Sequence, residues 1–307
     1  MIVLSKMRFC YHIELLNKAK LKNVEDLLPK NWEERLDDFD PERDLVLGAV
    51  NSNRVLGILW SVIFQQQGKV HVHILLLKVQ SQFRRKGIGT DLFHHAEQEA
   101  NRRKANTINI NLAKGDSFEP IGRILQRRGW EPPKITGYFF ETTVDRFFND
   151  LRWTDPSKKF PYRSYIRPWA DITPEELDTV RKEEGSYYAQ AGVDFLNLEN
   201  IEPINSLILR DKERLIGWLI THRTAPDTIH YTSVYIVKEY RGLGFTIPLC
   251  VEAGYLQKAA CIPKITLWVL ANNKSAVKFW SKILAPAISR KQTCYYSYKE
   301  LAENSKC

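Results

Sequence analysis

The chain has 307 residues, about twice the roughly 150 of a common domain, which points to two domains. Hydrophobic residues make up 44% and charged residues 26%, the usage of an ordinary globular protein, so a disordered chain and a fibre are excluded. The formal net charge of +9 creates a field that draws anionic ligands without choosing among them.

The longest apolar stretch, around Ile74–Leu77, falls far short of the roughly 18–20 residues of a membrane span. The start, Met1 to His12, carries Lys6 and Arg8 and no small-residue cleavage site, so no signal peptide is expected. Cys10, Cys250, Cys261, Cys294 and Cys307 are odd in number, scattered, and form no CxxC pair. That pattern fits reduced thiols and a cytoplasmic location, with Cys307 an exposed tail thiol.

In chain order, Leu45–Val50 and Arg54–Phe64 read as a hairpin about the turn formers Asn51-Ser52-Asn53. Lys69–Val79 is a long β-rich run, and the basic, glycine-bearing Phe83–Gly89 follows it. Thr90–Lys104 has helical spacing: Leu92, Phe93, Ala96 and Ala100 oppose Glu97, Glu99 and Arg102. Thr107–Leu112 reads as a strand, Glu119–Arg128 as a helix stopped by Gly129, and Tyr138–Val144 as a last strand. Arg152–Phe160, polar and containing Pro156, reads as a linker. The series then repeats. Thr173-Pro174-Glu175-Glu176 opens a helix, and Ser206–Arg210 with Arg214–His222 forms a hairpin. Thr228–Val237 is the long strand, Tyr240–Thr246 the glycine loop and Leu249–Ala260 a helix. Lys264–Val269, Asn273–Leu284 and Tyr295–Lys299 give strand, helix and last strand. Domains are therefore expected at 1–150 and 162–307, joined by 151–161.

A glycine loop between a strand and a helix can aim successive N–H groups into one space, and the helix N-terminus adds unpaired donors and a positive partial charge. Arg84-Arg85-Lys86-Gly87-Ile88-Gly89-Thr90 and Arg241-Gly242-Leu243-Gly244-Phe245-Thr246 are two such anion cradles, suited to a phosphate or diphosphate. Thr246 stands where the first loop has glycine, and Pro248 removes an N–H from the helix that follows, so the first cradle is expected to be the richer in donors.

These loops, each behind a strand ending in aliphatic residues (Leu77 and Val79; Val234 and Ile236), resemble the acyl-CoA loop (Gln/Arg)-x-x-Gly-x-(Gly/Ala) of the GNAT superfamily of N-acetyltransferases, and specifically its tandem members. A second family signature, Asn-x-x-Ala-x-x-Phe-Tyr, is similar to Asn273-Lys274-Ser275-Ala276-Val277-Lys278-Phe279-Trp280. The first half keeps only its outline, in Ile124–Trp130. The resemblance implies two α/β domains, each a mixed, mostly antiparallel sheet with helices on both faces. It implies acetyl-CoA, or a longer acyl-CoA, as co-substrate for direct acyl transfer to a primary amine of a small molecule or peptide. The intact loop makes the N-terminal half the expected CoA binder. An oxyanion donor is implied at the backbone near Val79. The family's general base, eleven positions ahead of the motif, falls on His73 and His230, and the tyrosine that protonates the leaving thiolate is replaced by Leu125 and Trp280.

Two other readings stand beside this one. The donor could be a fatty acyl chain moved to a peptide lysine or ornithine in natural-product tailoring, or the chain could be a non-catalytic module that binds CoA or a partner. Tyr187-Tyr188 and Tyr295-Tyr296 fit either a substrate cleft or a packed core, and Glu183-Glu184 either an amine site or a solvated helix end. Arg102-Arg103-Lys104 and Arg127-Arg128 read as helix ends. No metal motif, covalent-nucleophile motif or nucleic-acid-binding motif is present.

Overall fold

The computed structural model describes residues 10–21, 24–29, 32–52, 54–155, 165–189 and 200–301. Residues 156–161 of the expected linker, Asn53 and Cys307 lie outside them, as do the side chains of Glu184, Tyr187 and Tyr188. The strands are β1 (His12–Leu15), β2 (Asp44–Asn51), β3 (Arg54–Gln66), β4 (Lys69–Val79), β5 (Thr107–Ala113), β6 (Lys134–Thr143), β7 (Ile166–Pro168), β8 (Leu207–Asp211), β9 (Arg214–Ala225), β10 (Thr228–Ile236), β11 (Lys264–Leu270) and β12 (Arg290–Glu300). The helices are α1 (Lys18–Leu21), α2 (Glu33–Asp37), α3 (Ile88–Arg102), α4 (Phe118–Arg127), α5 (Val144–Asp150), α6 (Pro174–Ala189), α7 (Thr246–Ala259) and α8 (Lys274–Ile283).

Two compact units form, and they do not follow the consecutive boundaries 1–150 and 162–307 read from the sequence. Unit 1 joins residues 1–135 with 294–307, and unit 2 is 136–293. In unit 1 the strand order is β1-β2-β3-β4-β5-β12; in unit 2 it is β7-β8-β9-β10-β11-β6. The neighbours are antiparallel except β4–β5 and β10–β11, which are parallel. Each parallel pair needs a crossover, supplied by α3 in unit 1 and α7 in unit 2. The last strand of each sheet is thus supplied by the opposite half of the sequence. Both β6 and β12 fit that slot by pattern, and only long-range pairing decides which sheet each completes.

Each sheet buries both faces. In unit 1, Leu92, Phe93, Ala96 and Ala100 of α3 pack on Val72, Ile74, Ile108 and Ile110. The opposite face of β2 and β3 packs Trp60, Ile58 and Val46 against Leu21, Leu27 and Leu28. In unit 2, α5 and α7 present Phe147, Leu249 and Ala253 to Ile229, Ile265 and Leu267. Val180 of α6 covers Ile208 and Trp218 on the other side.

A bulge sits at the same place in both units. Leu75 is skipped between the pairs Ser61–Ile74 and Trp60–Leu76, and Thr232 between Thr221–Tyr231 and Ile220–Ser233. One extra residue reverses which face later side chains take. Hence Val72 and Ile74 share a core with Leu77 and Val79, and Ile229 and Tyr231 with Val234 and Ile236. Parallel pairing stops at this point as well: β4–β5 ends at Ile74–Ile110 and β10–β11 at Tyr231–Leu267. Beyond it the two parallel strands part, and the inner edges of β4 and β10 carry no ladder bonds.

The C-terminal strand is tied into unit 1 by a buried carboxylate. Glu97 of α3, 6% exposed, accepts from Lys299 Nζ at 2.8 Å, Arg128 Nε at 2.8 Å and Trp130 Nε1 at 2.8 Å. Burial opposes its ionisation, but these donors outweigh it and hold the carboxyl below its usual range. A chain ending at Thr293 loses Lys299 and the whole β5–β12 ladder. Hydrogen exchange of that chain is expected to show lost protection in Thr107–Ala113 with Arg214–Ile236 still protected. Loss in β10 instead would restore the consecutive-domain boundaries.

Candidate active site

Both glycine loops take the same backbone path. Arg85 (φ 61°) and Gly87 (φ 91°) in the first match Gly242 (φ 81°) and Gly244 (φ 88°) in the second. Alternating left-handed residues turn successive N–H groups toward one side, which is the geometry of an anion nest. Among the described residues, the N–H groups of Gly242, Leu243 and Gly244 bond no backbone carbonyl. The first arginine of each loop is a strut: Arg84 Nε donates to Val79 O at 3.1 Å and Arg241 Nε to Ile236 O at 2.8 Å. Lys86 lies 5.3 Å over the Phe83 ring, and Ile88 and Gly89 open α3 with Thr90.

The surroundings of the loops differ. A Cβ placed on Gly242 or Gly244 meets nothing within 4 Å. One on Gly89 meets Ile124 and Leu77, and one on Gly87 meets the Tyr11 hydroxyl at 3.6 Å. That hydroxyl donates to Asp91 in the first turn of α3, where the carboxylate already uses the helix N-terminus. In unit 1 the corresponding helix α4 is capped by Ser117 without a side-chain bond, and Phe118 and Ile121 of its first turns pack on the core; the Phe118 and Tyr295 rings lie 4.4 Å apart.

In unit 2 the gap between β10 and β11 opens into a cavity of about 520 Å³. Arg241, Gly242 and Thr246 stand at its loop end, Val234, Tyr235 and Ile236 on one wall, and Leu267 to Leu270 on the other. Because the gap passes through the sheet, the cavity meets both faces: Tyr231 and Val269 belong to the α7 side, while His230 and Trp268 project to the opposite one. Asn273 caps α8, its Oδ1 accepting from Ala276 N at 3.0 Å, and lines the cavity with Ala276, Phe279 and Trp280. The cavity is therefore beside the second loop, whereas the loop sequences alone favour the first.

His230 is on the cavity wall with Nδ1 3.0 Å from Thr266 Oγ1. Burial, with His222 nearby, pulls its pKa down to about 4, so the imidazole is neutral at pH 7. His73 is in unit 1, where Nδ1 bonds Asn109 Oδ1 and Nε2 lies 3.5 Å from Asn111 Nδ2. Leu125 is buried in the core of unit 1, and Trp280 half-buried in the cavity wall, so neither signature position holds a phenol. The cavity's own phenols are poor acids. Burial raises Tyr231, and burial plus the Glu183 carboxylate 2.5 Å away pushes Tyr235 up to about 12. Burial also lifts the Cys250 thiol to about 12. Tyr231, Tyr235, Cys250, Phe147 and Trp268 were not candidates in the sequence. Their only signal is aromatic and apolar alternation, which every core strand shares.

Residues 16–121 match the acetyltransferase (GNAT) domain family. No curated protein matches the sequence. Among solved structures, the chain is similar to a tandem GNAT protein from the clavulanic acid biosynthesis pathway, with a TM-score of 0.63 and 15% identity over 97% of this chain and 99% of that one. A GCN5-related N-acetyltransferase from Sphaerobacter thermophilus gives a TM-score of 0.59 and 14% identity over 94% and 95%. The glucosamine N-acetyltransferase region of a fungal multi-domain GH3 β-N-acetylglucosaminidase gives 0.62 and 15% over 94% of this chain and 38% of that one. The chain has the tandem GNAT fold, and the family match lies in its N-terminal unit. Among the described residues, no helix is long and apolar enough to cross a membrane, and no cluster of three metal-ligating side chains occurs.

The cavity wall depends on one close approach. A Cβ on Gly137 of β6 would lie 2.5 Å from the Trp268 indole and 2.7 Å from Val269 O. Gly137→Ala is expected to push the ring inward, cost roughly 1–3 kcal/mol and weaken CoA binding, read by denaturant melts and calorimetric titration. Unchanged stability and affinity would show that the wall tolerates the methyl group.

Proposed function

We propose that the chain is an acyl-CoA-dependent N-acyltransferase that moves an acyl group to a primary amine of a small molecule or peptide by direct transfer, and that unit 2 holds the donor. The observation that carries this reading is the parting of β10 from β11 beside an open glycine loop, with a cavity of about 520 Å³ between them. The N–H groups of residues 242–244 and the start of α7 suit a diphosphate. The inner edge of β10, beyond the end of its pairing with β11, suits an amide-bearing arm laid along it like an added strand. Acyl-CoA would supply the acyl group as a thioester. A leaving thiol of pKa about 8.5 departs without much help, which fits a cavity that offers no ready acid.

The chain's own part is to orient and desolvate. A developing oxyanion would lie where β10 runs on past the end of its pairing with β11, at Tyr231, beside the backbone of that strand. His230 faces the side of the sheet opposite α7 and accepts a hydrogen bond from an amine arriving there. At a pKa near 4 it is a weak base, so it positions the amine and takes a proton only as the new C–N bond makes the nitrogen acidic. Unit 1, where Tyr11 and Ile124 approach the glycines of its loop, is assigned no donor.

Adding CoA to the full chain is expected to slow hydrogen exchange in residues 241–247 more than in 84–90; the reverse order moves the donor site to unit 1. Because His230 is already neutral, its titration falls below pH 5, and activity carries no limb from it between pH 5 and 8. His230→Gln is expected to lower turnover across that whole range. A limb near pH 6.5 that vanishes in the variant would show that His230 titrates as a free imidazole and acts as the base.

A further inference from the structure

We propose that the inner end of the unit 2 cavity is an acyl-chain pocket, so that the preferred donor carries a medium-length unbranched acyl chain rather than acetyl. The proposal rests on the donor reading above and deepens it. Pairing of β10 with β11 ends at Tyr231–Leu267, and the thioester carbonyl is placed near that apex, where the strands part and the gap reaches the His230 face. An acetyl group adds one methyl beyond the carbonyl. The lining of the cavity continues past the apex to Ile265, near the start of β11.

Five side chains line this extension: Ile265 of β11, Thr142 beside it on β6, Phe147 of α5, Cys250 of α7, and Leu284 after α8. Each is 3% exposed or less. Their polar atoms offer little to water. Thr142 Oγ1 donates to Ala287 O at 2.6 Å, and the nearby Tyr231 hydroxyl donates to Gln257 Oε1 at 3.1 Å. The Cys250 thiol stays protonated and is a weak donor. A buried space without polar partners does not hold ordered water, and methylene groups gain most by entering it. The lining carries no charged side chain, so it suits an alkyl chain and not a carboxylated one.

Calorimetric titration of the full chain with CoA and with acetyl-, butanoyl-, hexanoyl- and octanoyl-CoA tests this. Affinity relative to CoA is expected to rise about two- to fourfold per buried methylene until the pocket is full. Equal or falling affinity beyond acetyl, with CoA itself binding, overturns the acyl pocket and leaves the donor site standing. Failure of CoA and every thioester to bind overturns both. Cys250→Leu, which fills the extension, is expected to reduce the octanoyl-to-CoA affinity ratio by about fivefold or more. Leu284→Ala, which deepens it, is expected to shift the best chain length upward. Because each ratio is taken within one protein preparation, partial unfolding does not move it; ratios equal to wild type in both variants overturn the assignment.

Discussion

Everything at the site follows from a parallel strand pair that stays together for only four residue pairs. Each parallel pair must be reached by a crossover helix, and the loop into that helix needs left-handed residues to turn. The bulge at Leu75 and at Thr232 then sets two things at once. It keeps the apolar residues on both sides of it in one core, and it marks where the partner strand leaves. A parted strand leaves backbone donors and acceptors without ladder partners, and such groups are costly to bury unless a ligand or water meets them. The edge beside the loop is therefore built from backbone, whose bonding groups do not depend on which side chains the strand carries.

Desolvation is the second common cause. His230, Tyr231, Tyr235 and Cys250 line one cavity, and burial drives each toward its neutral form. A wall that is uncharged near neutral pH suits a neutral thioester and a neutral amine, and it disfavours a mechanism that needs a strong side-chain acid or base. Arg241, the charged exception, is held by Ile236 O and by the Tyr235 ring 5.2 Å away, so its charge is spent on shaping the strand end.

Local signals were legible in the sequence and long-range ones were not. The repeated hairpins, long strands, glycine loops and crossover helices appear within a few residues of their expected bounds, because turn formers and periodicity act locally. The asparagine–alanine signature at 273–280 already distinguished the halves. Asn273 caps α8 through its side chain, whereas Ser117 caps α4 without a side-chain bond and Phe118 and Ile121 turn onto the core of unit 1. The loop sequences pointed the other way, since counting glycines says nothing of what α4 or α8 packs against them. The helix Val144–Asp150 was missed because its seven residues follow a strand directly, with Thr143 as the cap. The burial of His230 was equally hidden, as a strand histidine reads the same whether its neighbours leave it wet or dry.

Strand exchange changes how the two copies are related. Unit 2 is a continuous segment, 136–293, whose first strand β6 fills the slot that unit 1 fills with the chain's last strand β12. Relative to unit 1, unit 2 is a circular permutation of the same sheet. Unit 2 can close on itself once its own residues are made, but β5 must wait for β12, which lies beyond all of unit 2 in the chain. Closing so long a loop costs entropy that local pairing does not, and it slows formation of the contacts concerned. The polar lock of Lys299, Arg128 and Trp130 on Glu97 acts at this late junction. Arg128 and Trp130 already belong to the first part of unit 1, and β12 adds the third donor, Lys299. Lys299 reaches Glu97 in the register that pairs it with Ile108, so this contact favours that register over a slipped one.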